Sequence, residues 1–86
     1  MKVELELTES QAENLLNMVL AMADGAVDVD LSKWNEEAKR NIKEQVAIAV
    51  MLYERVTAVL PKMARSDAVQ TFWRDEKKYR DFVKDP

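Results

Sequence analysis

The sequence predicts a mainly α domain with minor β: three helices, the central one long, preceded by one or two short N-terminal strands. Three observations carry this. Apolar residues recur at spacings of three and four through three separate stretches, the period of a helix buried on one side. Residues 2–7 instead alternate, the period of a half-buried strand. Apolar side chains are 48% of the 86 residues, enough for a packed core in one domain over residues 1–86. A chain this short buries only about 60–65% of its unfolded surface, so a partner would help to stabilise it.

In the first strand Val3, Leu5 and Leu7 point one way and Lys2, Glu4 and Glu6 the other. Thr8-Glu9-Ser10-Gln11 then reads as a capping box, with Thr8 on the N3 amide and Gln11 reaching back. The first helix follows to about Asp24. Ala12, Leu15, Leu16, Val19, Leu20, Met22 and Ala23 fall within roughly 160° of its circumference. Gly25 is the expected C′ residue that stops it. Val27, Val29 and Leu31 alternate with Asp28 and Asp30, a second short strand or an extended linker. Aspartate is a poor strand former.

Ser32 or Asp30 is the expected cap of the second helix, with Glu36 and Glu37 early in it. Ile42, Val46, Ala49, Tyr53, Val56, Leu60 and Met63 form three heptads of seam. Ile48, Leu52 and Val59 widen that stripe on one flank and Val50 on the other, an apolar arc of roughly 200°. At its centre lies the run Val46-Ala47-Ile48-Ala49-Val50-Met51-Leu52. Pro61 clashes with the carbonyl four residues back. The helix therefore ends near Val59–Leu60, or kinks there and adds one turn to Arg65. Ser66 caps the third helix, with Asp67 in its first turn. Its apolar face is Val69, Phe72, Trp73, Tyr79, Phe82 and Val83.

Composition excludes much chemistry. The chain has no cysteine and no histidine. That removes disulfides, thiolate or imidazole metal sites, and every Ser-His-Asp or Cys-His nucleophile. One glycine cannot build a Walker or Rossmann phosphate loop. Charges interrupt the first seven residues, which argues against a signal peptide. The seven-residue apolar run is shorter than the about 20 residues a bilayer span takes. No cofactor, no metal, no membrane and a cytoplasmic location are expected. Net charge is −3, divided as −6 over residues 1–32, +3 over 33–66 and zero over 67–86. An acidic first third does not describe a general nucleic-acid binder.

Four features are candidate sites. Ala47, Met51 and Ala58 interrupt the polar arc of the second helix and form a shallow patch that another helix can approach. Methionine adapts well at such surfaces. Trp73 lies at the edge of the third helix's apolar arc and is the aromatic best placed to reach a partner. Glu4 with Glu6, and Asp28 with Asp30, project in pairs from their strands. If the strands are neighbours, four carboxylates cluster into an acidic docking face for a basic partner or a hard cation. Glu76 falls within the aromatic face, where a buried acid could serve as a general acid, but Arg80 at i+4 offers it an ion pair. No second group completes an active site, so no enzyme is expected.

These readings converge on a small accessory protein, a regulator, inhibitor or assembly subunit that binds another protein. A lone strand needs an edge to pair with. The first strand either lies parallel to residues 26–31, joined by a right-handed crossover through the first helix, or pairs with its copy across a two-fold axis. A two-stranded sheet is marginal alone, which together with the wide apolar arc makes a homodimer the expected state. The alternative is a nucleic-acid-associated helical dimer with Arg74, Lys77, Lys78 and Lys84 on phosphate. Asp75, Glu76, Asp81 and Asp85 cancel that charge, which leaves nucleic acid the weaker reading.

Overall fold

The computed structural model describes residues 1–84, and those residues are mainly helical, with four helices and no strand. Helix α1 is Glu9–Ala26 and α2 is Glu36–Val59. A 3-10 turn over Pro61–Arg65 leads to α3, Asp67–Arg74, and α4, Glu76–Lys84.

The capping box forms as read. The Thr8 side chain accepts from the Gln11 N–H at 3.1 Å, and the Gln11 side chain accepts from the Thr8 N–H at 2.9 Å. Ser66 caps α3, accepting from the Val69 N–H at 3.2 Å. Of the two outcomes expected at Pro61, the helix ends: α2 stops at Val59, and a separate 3-10 turn follows over Pro61–Arg65.

Elsewhere the chain departs from its local pattern. Residues 2–7 form no strand, and Val3, Leu5 and Leu7 are exposed. Their alternation specifies a strand only where an edge exists to pair with, and no other described segment supplies one. Residues 26–31 form no strand either. The N–H groups of Asp28 and Val29 donate back to the carbonyls of Gly25 and Ala26. Asp30 accepts from the Ser32 N–H at 2.9 Å, so its side chain closes a turn.

That contact also takes Asp30 out of contention as a helix cap. Asn35 caps α2, accepting from the Ala38 N–H at 2.8 Å. Asparagine is as good an N-cap as serine or aspartate, and this one stands directly before Glu36. Gly25 does not stop α1. It is helical without a positive φ, and Val27 closes the helix in right-handed geometry.

The expected third helix is two helices, broken at Asp75 (φ −108°, ψ 19°). The break lets each half pack on a different neighbour. Helices α1 and α2 lie side by side, α3 rests on α1, and α4 rests on α2. The result is two layers. Cα extents are 39 × 32 × 17 Å, and the short one is the depth of two helix layers packed about 8–10 Å apart. The radius of gyration is 13.5 Å, against about 12 Å for a compact chain of this length.

The core sits between the layers. Leu16, Leu20, Ala23 and Ala26 of α1 meet Val46 and Ala49 of α2, and Met63, Val69, Phe72 and Tyr79 close it from the other side. Three rings form a column: Tyr53 to Phe72 at 4.5 Å between centroids, and Phe72 to Tyr79 at 4.4 Å. Such ring pairs contribute about 0.5–1.5 kcal/mol beyond their burial.

Candidate interaction surface

The four-carboxylate cluster does not form. Glu4 and Glu6 precede α1, whereas Asp28 and Asp30 follow it. Eighteen helical residues hold the pairs about 27 Å apart at 1.5 Å per residue. Glu4 pairs with Lys2, and Asp28 with Lys78 of α4 at 2.5 Å. The Ser32 N–H that Asp30 accepts holds its carboxyl below the usual range. Among the described residues no group of three or more acidic side chains is placed to hold a metal ion.

The basic residues of α4 are largely engaged. Lys78 meets Asp28, and Lys77 meets Asp81 at 3.1 Å. Arg80 bridges Glu54 of α2 at 2.7 Å and Glu76 at 2.6 Å, so Glu76 takes the i+4 pairing. These bridges fasten α4 along α2 and to the end of α1. The carboxylates hold Lys78 and Arg80 above their ordinary pKa values, chiefly because Asp28 accepts a hydrogen bond from Lys78 and Glu54 accepts one from Arg80.

Of the α2 patch, Met51 is 39% exposed and Ala58 is also exposed, whereas Ala47 is half-buried. Ala47 lines an open groove beside Val83 of α4, so α4 covers the edge of the patch that Ala47 occupies. Trp73 is 64% exposed on α3, in the other layer. The structure therefore does not join Trp73 and Met51 into one surface.

It exposes other residues instead. Ile48 and Val59, read above as flanks of the core arc, are 48% and 77% exposed. Met18 of α1 is 69% exposed. The helical period puts these on one side of the molecule. On α1, Glu13 and Asp24 lie on the flank that meets the second layer, where Lys62 and Tyr79 reach them. Leu15, Met18 and Met22 lie on the opposite flank. On α2, Val50 and Glu54 face α4, and Ile48, Leu52 and Val59 lie on the opposite flank. Since α3 and α4 cover one broad side of the α1–α2 pair, the other broad side is left open, and there Ile48 and Val59 stand among the exposed Asn41, Gln45 and Arg55.

Every charged residue of α1 stands away from that side. Glu9 and Glu13 both pair with Lys62 (Glu13 at 2.7 Å), and Asp24 accepts from the Tyr79 hydroxyl at 3.0 Å. The outward arc of α1 is Gln11, Asn14, Met18, Ala21 and Gly25, all exposed and none charged. The apolar periodicity of α1 and α2 was legible in the sequence. The side on which the second layer lands was not, so Met18 went unread and Ile48 and Val59 were assigned to the interior. The uncharged outer arc of α1 was the available signal. Among the described residues no helix is long and apolar enough to cross a membrane. Compared with family models, curated proteins and solved structures, the chain matches none.

Proposed function

We propose that this chain is a non-enzymatic protein-interaction module that works by presenting the open face of its α1–α2 pair to another protein. One observation carries the reading: the second helical layer covers only one side of α1 and α2, leaving Met18, Ile48 and Val59 exposed together with Met51 at the rim. Several large apolar side chains left exposed on one side of a small domain are the kind of surface that marks interaction sites. Methionine suits such a surface because its unbranched side chain repacks against different partners. A regulator, inhibitor or assembly subunit would use the face in the same way. Glu4, Glu6, Asp28 and Asp30 then contribute steering toward a basic partner from opposite ends of α1, rather than from a single patch.

The nucleic-acid alternative gains less support. Lys77 and Lys78, which it needs on phosphate, lie against Asp81 and Asp28. Retention of the chain by nucleic acid at low salt, where phosphate contact is strongest, would restore it.

The test is affinity capture from the native host with the unmodified chain and with Met18→Glu and Met51→Glu. Loss of captured protein with either variant, while helical circular dichroism is unchanged, is the expected result. Unchanged capture by both variants sinks the reading.

A further inference from the structure

Residues 2–7 have the pattern of a strand, and no described segment pairs with them. They run without turn or bend up to Thr8. Lys2 and Glu4 meet at 3.2 Å, as side chains two residues apart do when an extended chain puts them on one face. Glu6 follows on that face and has no ion pair among the described residues. Val3, Leu5 and Leu7 fall on the other face, and all three are exposed.

The backbone is equally unengaged. Among the described residues no N–H or carbonyl of residues 2–7 has a hydrogen-bond partner. Six residues span about 20 Å, the length of an ordinary strand. Neither proline nor glycine interrupts them, and either would weaken a ladder. Their mount is fixed, because the capping box ties Thr8 to the first turn of α1 through two hydrogen bonds.

One kind of neighbour satisfies all of this. A helix face or a flat apolar surface takes up side chains but leaves the amides and carbonyls of an extended chain bare. A sheet edge takes up both. Charge then describes the sheet. Opposite charges attract across neighbouring strands and like charges repel. One face of the edge must therefore bring Lys or Arg to Glu4 and Glu6, and the other must bring apolar side chains to Val3, Leu5 and Leu7. A second copy fits poorly. The antiparallel register that matches the three apolar residues with one another sets Glu4 opposite Glu6 twice, and parallel pairing in register sets each glutamate beside its own counterpart.

We propose that residues 2–7 dock by strand addition. They join, as a new edge strand, the open sheet edge of a partner protein that is basic on one face and apolar on the other. This surface lies outside the open face of α1 and α2 and does not depend on it.

The probe is a monomeric, designed three-stranded antiparallel sheet whose uncovered edge carries lysines on one face and valines on the other. An added edge strand turns every second amide toward its neighbour. Amide hydrogen exchange, followed by NMR on the native chain with the probe, should slow at alternate residues of the segment and stay fast between them. A control probe with glutamates in place of the lysines should bind about tenfold more weakly or worse. Glu4→Lys together with Glu6→Lys should reverse that preference, with helical circular dichroism unchanged. In capture from the native host, the same double substitution should lose protein that the native chain retains. Uniform or absent protection at about 1 mM probe, equal binding of the two probes, or unchanged capture overturns the proposal. So does alternate protection of these amides in the free chain, which would mean that the segment pairs with a copy or with its own chain.

Discussion

Tyr79 joins the core, a hydrogen bond and a charge pattern in one side chain. Its ring is buried against Phe72, and its hydroxyl donates to Asp24 at the far end of α1. Replacement by phenylalanine keeps the packing and removes only that bond, a loss of about 1 kcal/mol. Replacement by alanine also opens the ring column, and about 3–5 kcal/mol is expected. Urea unfolding of both variants measures the difference. Burial, and then the bond to Asp24, hold the phenol of Tyr79 well above its usual value of 10.0. Burial also raises Tyr53. A group whose folded pKa is raised keeps its stabilising effect below the unfolded value and loses it as pH climbs toward the folded one. Stability should therefore fall as pH rises above about 10, the unfolded chain releasing protons first. Lys62 shifts upward through its bonds to Glu13 and Glu9 and acts in the same direction. Alkaline titration of phenolate absorbance should show no tyrosine ionising at the ordinary midpoint before the helical signal is lost. Tyr79→Phe should flatten the decline.

At the scale of an element, the helix starts depend on single side chains. Thr8, Asn35 and Ser66 each accept from a backbone N–H in the first turn of the helix that follows. Their replacement by alanine should cost about 1 kcal/mol each. Ser66→Ala should be the most disruptive to the second layer, because α3 has only eight residues and no length to spare. Chemical denaturation of the three variants gives the order. Gly25→Ala should do the opposite. The position is helical and uncrowded, so alanine should stabilise the chain by about 0.5–1 kcal/mol. Capping residues were largely readable because a cap is a local event. Asn35 was missed in favour of Ser32 and Asp30, since several good capping residues crowd before Glu36. Only the turn that consumes the Asp30 side chain decides among them.

The whole molecule is two helical layers deep, with one side of the α1–α2 pair left open. The second layer reaches one side of α1 and α2, and residues 1–8 reach nothing that buries them. Replacing Val3 and Leu5 together by serine should leave the melting temperature of the isolated chain within about 1 °C, since surface changes stay near zero in free energy. A clear loss in a thermal scan would mean that the segment packs where it is now exposed. Helical content, the α1 and α2 periods, the break at Pro61 and the cap at Ser66 follow from the sequence alone. Each is set by steric or hydrogen-bonding rules acting within a few residues. Three matters were decided only by tertiary structure. Residues 2–7 and 26–31 have strand patterns but no ladder, because pairing needs an edge that lies elsewhere in space. The third helical stretch breaks at Asp75, because its two halves pack on different helices. The apolar arc of α2 is wider than its own neighbours cover, because one layer has only one side to give. The sequence determines which residues avoid water. The arrangement of the layers determines which of them remain exposed to it.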